Sequence, residues 1–157
     1  MSVTIRPSRV ADFETLWRID QLCFPPDQAY SRLELSVYMK RRGAFTLVAE
    51  TDIPAKIAGF IVAEANTRGQ GHIVTIDVLE GARRGGVGSQ LMRAAEKRLG
   101  DEACRNVSLE TAVDNEAALL FYKRQGYFVE KTIPRYYNGT LDALLMRKDL
   151  LPSAPAK

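Results

Sequence analysis

The sequence is poor in the residues that build metal and redox centres. Histidine occurs once, at His72, and cysteine twice, at Cys23 and Cys104. A lone histidine cannot supply a histidine-based metal site, and the two cysteines offer neither a metal-ligand spacing nor a disulfide framework. Each cysteine falls in a run that reads as half buried, where it acts as a small core hydrophobe. No metal is expected. Long apolar runs are missing too. None reaches the roughly 18 residues of a membrane span, and Met1 to Arg6 holds no signal-peptide core, so we expect a soluble, cytoplasmic chain with no membrane partner.

Charge of one sign does not dominate either. Lysine and arginine number 22 against 19 acidic residues, a net charge of +3. The basic residues are scattered, with short clusters only at Lys40-Arg41-Arg42 and Arg83-Arg84. A nucleic-acid footprint concentrates on one element and interleaves with aromatics, so no direct nucleic-acid contact is expected. What is present is an ordinary globular balance, 46% hydrophobic and 26% charged over 157 residues. That length suits one domain, placed at residues 1–150, with a disordered tail at 151–157 and no internal repeat. We expect a monomer or weak dimer.

Val3 to Arg6 reads as a strand stopping at Pro7. Ser8 then opens a helical pattern with Phe13, Leu16, Ile19, Leu22 and Cys23 at three- and four-residue spacing. The prolines of Phe24-Pro25-Pro26-Asp27-Gln28-Ala29-Tyr30 break it. Ser31 with Glu34 is a capping box for a second helix, and Gly43 stands where its C-cap belongs. Phe45 to Glu50, Ile57 to Ala65 and His72 to Leu79 are rich in strand formers. Their connections are too short for a crossover helix, which makes them an antiparallel meander. A helix follows at Val87 to Leu99, then a strand at Asn106 to Val113, a helix at Glu116 to Gln125, and strands at Tyr127 to Tyr136 and Leu141 to Met146 joined through Asn138-Gly139. The element order is β-α-α-β-β-β-α-β-α-β-β, an α/β fold with a mixed sheet of seven strands and four helices.

The turn Arg83-Arg84-Gly85-Gly86-Val87-Gly88-Ser89 carries the first chemistry. A strand running through glycines into a helix presents unpaired amides and the positive end of a helix dipole, a ready site for phosphate. The glycines let the backbone approach an anion closely, and Arg83 and Arg84 add charge. There is no Gly-x-x-x-x-Gly-Lys-Ser/Thr run for a nucleotide P-loop. Gly86-x-Gly88 also fits the opening of a dinucleotide fingerprint, with Glu110 as its ribose acid. Leu91 stands where that fingerprint needs its third glycine or alanine, and a preceding meander does not suit it.

Arg83-x-x-Gly86-x-Gly88 resembles the Arg/Gln-x-x-Gly-x-Gly/Ala signature of the GNAT acetyltransferase superfamily, and the element order is that family's. The block Leu109-Glu110-Thr111 through Asn115, Ala118, Tyr122 and Gly126-Tyr127 is similar to that of the ribosomal-protein-alanine and related protein N-terminal acetyltransferases. The resemblance implies acetyl-CoA as cosubstrate, with its pantetheine arm along Ile76, Asp77 and Val78 and near Asn115. It implies the pyrophosphate in Arg84 to Ser89 and the thioester beside Tyr122. It further implies Glu110 as general base, Tyr122 as general acid, and an acceptor groove lined by Phe24, Pro25 and Tyr30 on one side and Tyr136 and Tyr137 on the other. Asp77 departs from the small apolar residue usual there, which implies an altered acetyl pocket. The charged pair that often follows the last hairpin's glycine is absent.

Transfer from a thioester requires a neutral amine and a proton for the departing thiolate. A terminal amine, with a pKa of about 7.7–8.0, needs only a weak base. A carboxylate and a phenol suit the two tasks. The expected activity is direct acetyl transfer to a protein N-terminal α-amine, with ribosomal proteins among the candidate acceptors. A small-molecule amine, a lysine side chain, a dinucleotide-binding protein and a non-catalytic acetyl-CoA module stand as alternatives. Neither cysteine has a histidine partner that would support an acyl-enzyme.

Overall fold

The computed structural model describes residues 2–150; the expected tail at 151–157 lies outside them. Seven strands form one sheet in the order β1-β2-β3-β4-β5-β7-β6. They are β1 (Val3–Pro7), β2 (Ala44–Thr51), β3 (Ile57–Ala65), β4 (Gln70–Val78), β5 (Asn106–Ala112), β6 (Phe128–Tyr137) and β7 (Leu141–Asp149). Four α-helices accompany them: α1 (Phe13–Cys23), α2 (Arg32–Lys40), α3 (Val87–Asp101) and α4 (Glu116–Arg124). Every pairing is antiparallel except β4 with β5. Among the described residues no helix is long and apolar enough to cross a membrane.

Both faces of β2 and β3 are buried, which is why these strands read as nearly unbroken apolar runs. Phe45, Leu47, Ala49, Ile61 and Ala63 pack with Val87, Leu91, Met92, Ala95 and Leu99 of α3. The alternate residues Val48, Phe60 and Val62 pack with Leu16, Ile19 and Leu35 from α1 and α2. Each fully buried large apolar side chain contributes about 2 kcal/mol. The face of α3 thus outweighs the cost of about 1 kcal/mol for each of Gly88 and Gly100 inside that helix.

Several element ends shift by one to three residues, and three features of the sequence reading are corrected. Pro7 does not stop β1; it pairs with Leu47, tolerated because β1 is an edge strand. Ser8 does not open a helix, which begins only at Phe13. The Asp12 carboxylate instead accepts the Arg9 N–H at 2.7 Å and pairs with Arg6 at 2.9 Å, closing a 3-10 turn over Val10–Asp12. Gly43 does not cap α2, which ends at Lys40 with Arg41 extended. Gly43 has φ +84° and lies so close to the Ala65 carbonyl that a Cβ would collide with it.

The capping box at the start of α2 is formed as read. Ser31 Oγ accepts the Glu34 N–H at 3.1 Å, and Glu34 Oε1 accepts the Ser31 N–H at 2.9 Å. Ser31→Ala is expected to lower stability by about 1 kcal/mol, read as a lower denaturant midpoint at constant m-value.

Candidate active site

The site begins where β4 and β5 part. They pair only at Gln70↔Asn106, Gly71↔Val107 and His72↔Ser108. From Ile73 to Val78 the edge of β4 that faces β5 has no strand partner, while its other edge is paired with β3. The divergence leaves a wedge open through the sheet, with backbone donors and acceptors along one side.

The turn after β4 closes one end of the wedge. Gly86 is the N-cap of α3 with φ +80°, a conformation that favours glycine, and Arg84 also has positive φ, +71°. The Gln90 N–H bonds to the Gly86 carbonyl at 3.0 Å. That leaves the amides of Val87, Gly88 and Ser89 with no backbone partner among the described residues, the usual condition of a first helical turn. A Cβ on Gly88 would lie 3.1 Å from the Phe121 ring, so glycine there lets α3 and α4 approach. The α3–α4 contact is tied further by Gln125 Nε2 donating to Ser89 Oγ at 2.8 Å. Arg83 folds back, its Nε donating to the Val78 carbonyl at 3.0 Å, and so joins the turn to the end of β4. Gly85 meets nothing closer than the Ala82 carbonyl oxygen, at 3.5 Å from a built Cβ.

Helix α4 brings Tyr122 to the wedge from the α3 side of the sheet. Asn115 caps this helix, its Oδ1 accepting the Ala118 N–H at 3.2 Å. At the other end the Tyr127 N–H bonds to the Tyr122 carbonyl at 3.0 Å, and the two rings pack at 6.2 Å. Burial first, then the charge of Asp77 and the neighbouring Tyr137, raise the Tyr122 pKa, so its phenol stays protonated at neutral pH.

On the opposite face lies a feature the sequence did not disclose. A bulge in β4 places Val62 opposite Thr75 but Ala63 opposite Ile73, leaving Val74 as the extra residue. Beyond it Ile76 and Val78 pack with the α3 cluster, while Thr75 and Asp77 turn toward α1. On that face His72 Nε2 donates to Glu110 Oε1 at 2.7 Å, and its Nδ1 lies 3.4 Å from Glu64 Oε1. Burial acts to lower the His72 pKa, but the hydrogen bond and charge of Glu110, then those of Glu64, outweigh it and raise the value above 6.5. A cleft of about 470 Å³, lined by Glu64, His72, Ser108, Arg42 and Arg147 among others, opens on the His72 side of the pair.

Of the aromatic residues expected around an acceptor, Tyr30, Tyr136 and Tyr137 come together here. The Tyr136 hydroxyl donates to Glu110 Oε1 at 3.4 Å, and its ring packs on Tyr137 at 4.9 Å. Burial, then the Glu110 charge, push the Tyr136 pKa up to about 12. Tyr30 stands across from them, its hydroxyl donating to the Val74 carbonyl at 3.5 Å and its ring tilted on Tyr38 at 5.0 Å. Tyr38 was not read from the sequence, because a tyrosine on an amphipathic helix looks like core. Phe24 is half-buried at the end of α1. Pro25 is exposed and turns the loop, its carbonyl accepting from the Gln28 and Ala29 amides at 2.9 Å.

A wedge between parallel strands, an amide-rich helix start at its end and a phenol beside it suit a long phosphorylated thioester better than a dinucleotide. Comparison with known proteins agrees: residues 13–127 match the model of the Acetyltransferase (GNAT) family. The chain belongs to the GNAT acetyltransferase family. It is similar to an N-alpha-acetyltransferase of Sulfurisphaera tokodaii, 30% identical over 93% of this chain and 92% of the relative. Among solved structures, Ard1 from Thermoplasma volcanium superposes with a TM-score of 0.87 at 28% identity, covering 96% of this chain and 99% of that one. The ribosomal-protein-S18-alanine N-acetyltransferase of Escherichia coli shares the fold, with a TM-score of 0.84 at 18% identity and 99% of both chains covered. As a GNAT acetyltransferase the protein is an acyltransferase with acetyl-CoA as cosubstrate. The open β4 edge and the unpaired α3 amides fit that molecule's amide-bearing arm and its pyrophosphate.

Proposed function

We propose that this GNAT acetyltransferase acetylates the free α-amine of a protein or peptide N-terminus, with His72 and Glu110 receiving the amine's proton and Tyr122 supplying one to the leaving group. The observation that carries the reading is the placement of base and acid on opposite sides of one wedge. The His72–Glu110 pair lies on the face where the tyrosines converge, and Tyr122 comes from α4 on the other. The names of relatives such as the Sulfurisphaera tokodaii N-alpha-acetyltransferase support an α-amine acceptor.

Ile76 to Val78 and Asn115 hold the pantetheine arm, and Arg84 to Ser89 hold the pyrophosphate. Acetyl-CoA, when bound, supplies the activated acyl group. The chain's own groups do the proton work. Glu110 Oε1 and the imidazole act as one base, because the 2.7 Å bond shares a gained proton between them. Glu64, on the other imidazole nitrogen, helps hold that charge. Tyr122 holds a proton at its Oη without competing for the amine's. Cys23 stays out of the chemistry, its thiol pushed up to about 11 by burial and then by Asp77. Tyr30 and Tyr38 on one side and Tyr136 and Tyr137 on the other wall the first residues of the acceptor.

The deciding assay offers acetyl-CoA with a peptide library in three forms: free N-termini, blocked N-termini containing lysine, and the N-termini of ribosomal proteins. Labelling of free termini at least about tenfold over blocked ones is expected, since a lysine amine with a pKa near 10.4 is far more protonated at neutral pH. Equal labelling of blocked peptides would overturn the α-amine assignment. Preferential labelling of the ribosomal set would identify the acceptor class.

A further inference from the structure

A second pair of carboxyl side chains is buried apart from the His72–Glu110 pair. Asp20, in the last turns of α1, is 0% exposed, and Asp77 of β4 is 1% exposed. The two are neighbours in the interior: after burial, Asp20 is the largest influence on the Asp77 carboxyl. One oxygen of each is satisfied elsewhere: Asp20 Oδ2 accepts the Tyr30 N–H at 2.8 Å, and Asp77 Oδ1 accepts the Thr75 hydroxyl at 2.5 Å. The other two oxygens, Asp20 Oδ1 and Asp77 Oδ2, are buried with no further partner among the described residues.

Two adjacent carboxylates in such a setting repel each other and lack donors for their free oxygens. One proton between them removes a charge and supplies the missing donor. The groups that face the pair do not offer a better solution. Arg83, from the turn after β4, keeps its charge and acts to lower the Asp77 pKa, but burial and Asp20 outweigh it, and its Nε is committed to the Val78 carbonyl. Cys23 of α1, Tyr30 of the following loop and Tyr122 of α4 are all held protonated by burial and neighbouring charge, so none brings a counter-charge.

We propose that Asp20 and Asp77 share a single proton, and that this proton-linked pair positions the acceptor loop between α1 and α2 on strand β4. The connection is direct. Asp77 stands between Ile76 and Val78 on β4, and Asp20 holds the backbone of Tyr30, the aromatic that faces Tyr136 across the acceptor cleft. Loss of the proton leaves two charges in contact, drives Asp20 from Asp77 and loosens Tyr30. Burial first and then Asp20 raise the Asp77 pKa well above its ordinary 3.8. Between that value and the raised one, the folded chain keeps a proton that the unfolded chain has released. The pair's contribution to stability therefore falls as pH rises through that window. The shared proton is independent of the acetyl-transfer reading, whereas the acceptor-positioning role rests on it.

Two measurements on the full chain separate the parts. Infrared spectroscopy at neutral pH should show the carbonyl stretch of a protonated, buried carboxylic acid, lost or shifted in Asp77→Asn. If wild type shows no such band, the shared proton is overturned whatever the activity. For positioning, the KM for a free-amine peptide is followed from neutral to alkaline pH in wild type, Asp77→Asn and Asp20→Asn. The amide variants keep a donor between the two residues without a titrating proton. The wild-type KM should rise about fivefold more than that of either variant, the loss expected from one anchoring hydrogen bond, with kcat much less affected. Because the peptide's own ionisation is common to all three proteins, an identical KM rise in all of them overturns the positioning role. Should Asp77→Asn fail to fold, Asp20→Asn carries the comparison alone.

Discussion

Glu110→Gln is expected to lower kcat for a free-amine peptide by about two to three orders of magnitude, the range for removal of a general base. The glutamine amide keeps the shape of the carboxylate but accepts no proton from the substrate. It also removes the largest influence that raises the His72 pKa, since Glu110 contributes both a 2.7 Å hydrogen bond and a charge against the opposing pull of burial. Only Glu64, 3.4 Å from the other nitrogen, then remains in favour of the charged form. The His72 pKa should fall in the variant. The sequence makes this easy to read, because His72 is the sole histidine and its ring gives the only imidazole signals in an NMR titration of the native chain. In the wild type, activity should rise with pH through the raised His72 pKa as the pair becomes free to accept a proton. Stability has the opposite sign. The ion pairs of protonated His72 contribute fully below pH 6.5 and are lost as pH rises through the raised value, so Glu110→Gln should flatten that dependence. Unchanged kcat together with an unchanged imidazole titration would remove Glu110 from the base.

The contrast between Glu110 and His72 shows which parts of the molecule were legible in sequence. Glu110 and Tyr122 sit in a local block that is read through its resemblance to the protein N-terminal acetyltransferases, and the glycines at 85, 86 and 88 announce a strand-to-helix turn by backbone chemistry alone. The meander, the hairpin at Asn138-Gly139 and the capping box at Ser31 are local as well, and all formed as read. His72 lies 38 residues from its partner Glu110, and the two meet only because β4 and β5 are neighbours in the sheet. The bulge at Val74 is the second obstacle. Strict alternation from His72 puts Asp77 on the opposite face; one extra residue in β4 returns Thr75 and Asp77 to the face of α1. Pairing with Asp20 follows from that shift. The start of α1 was missed for a related reason. Asp12 works through Arg6, whose other partner is Glu50 of β2, so the turn before the helix depends on a contact remote in sequence.

Tyr122→Phe tests the other half of the chemistry, and should lower kcat by about two orders of magnitude while leaving the affinity for acetyl-CoA nearly unchanged. The fold should tolerate the change. The hydrogen bond that ends α4 uses the Tyr122 backbone carbonyl, and phenylalanine keeps the ring that packs against Phe121 at 5.5 Å and Tyr127 at 6.2 Å. What is lost is one hydroxyl with a proton that burial, Asp77 and Tyr137 all act to retain. Because that pKa is pushed so far up, Tyr122 contributes no limb to the activity profile near neutral pH, and the shape of the variant's profile should match the wild type at a lower level. Glu110→Gln, by contrast, should change both level and shape. Calorimetric titration with acetyl-CoA measures the affinity, and steady-state rates across pH measure the rest. Wild-type turnover in Tyr122→Phe would assign the phenol to packing alone. A fall in kcat accompanied by an equal loss of acetyl-CoA affinity would make it a binding residue and leave the acid to another group. Only a fall in kcat at constant affinity and constant profile shape fits a proton held at Tyr122 for the leaving group, on the far side of the wedge from the base.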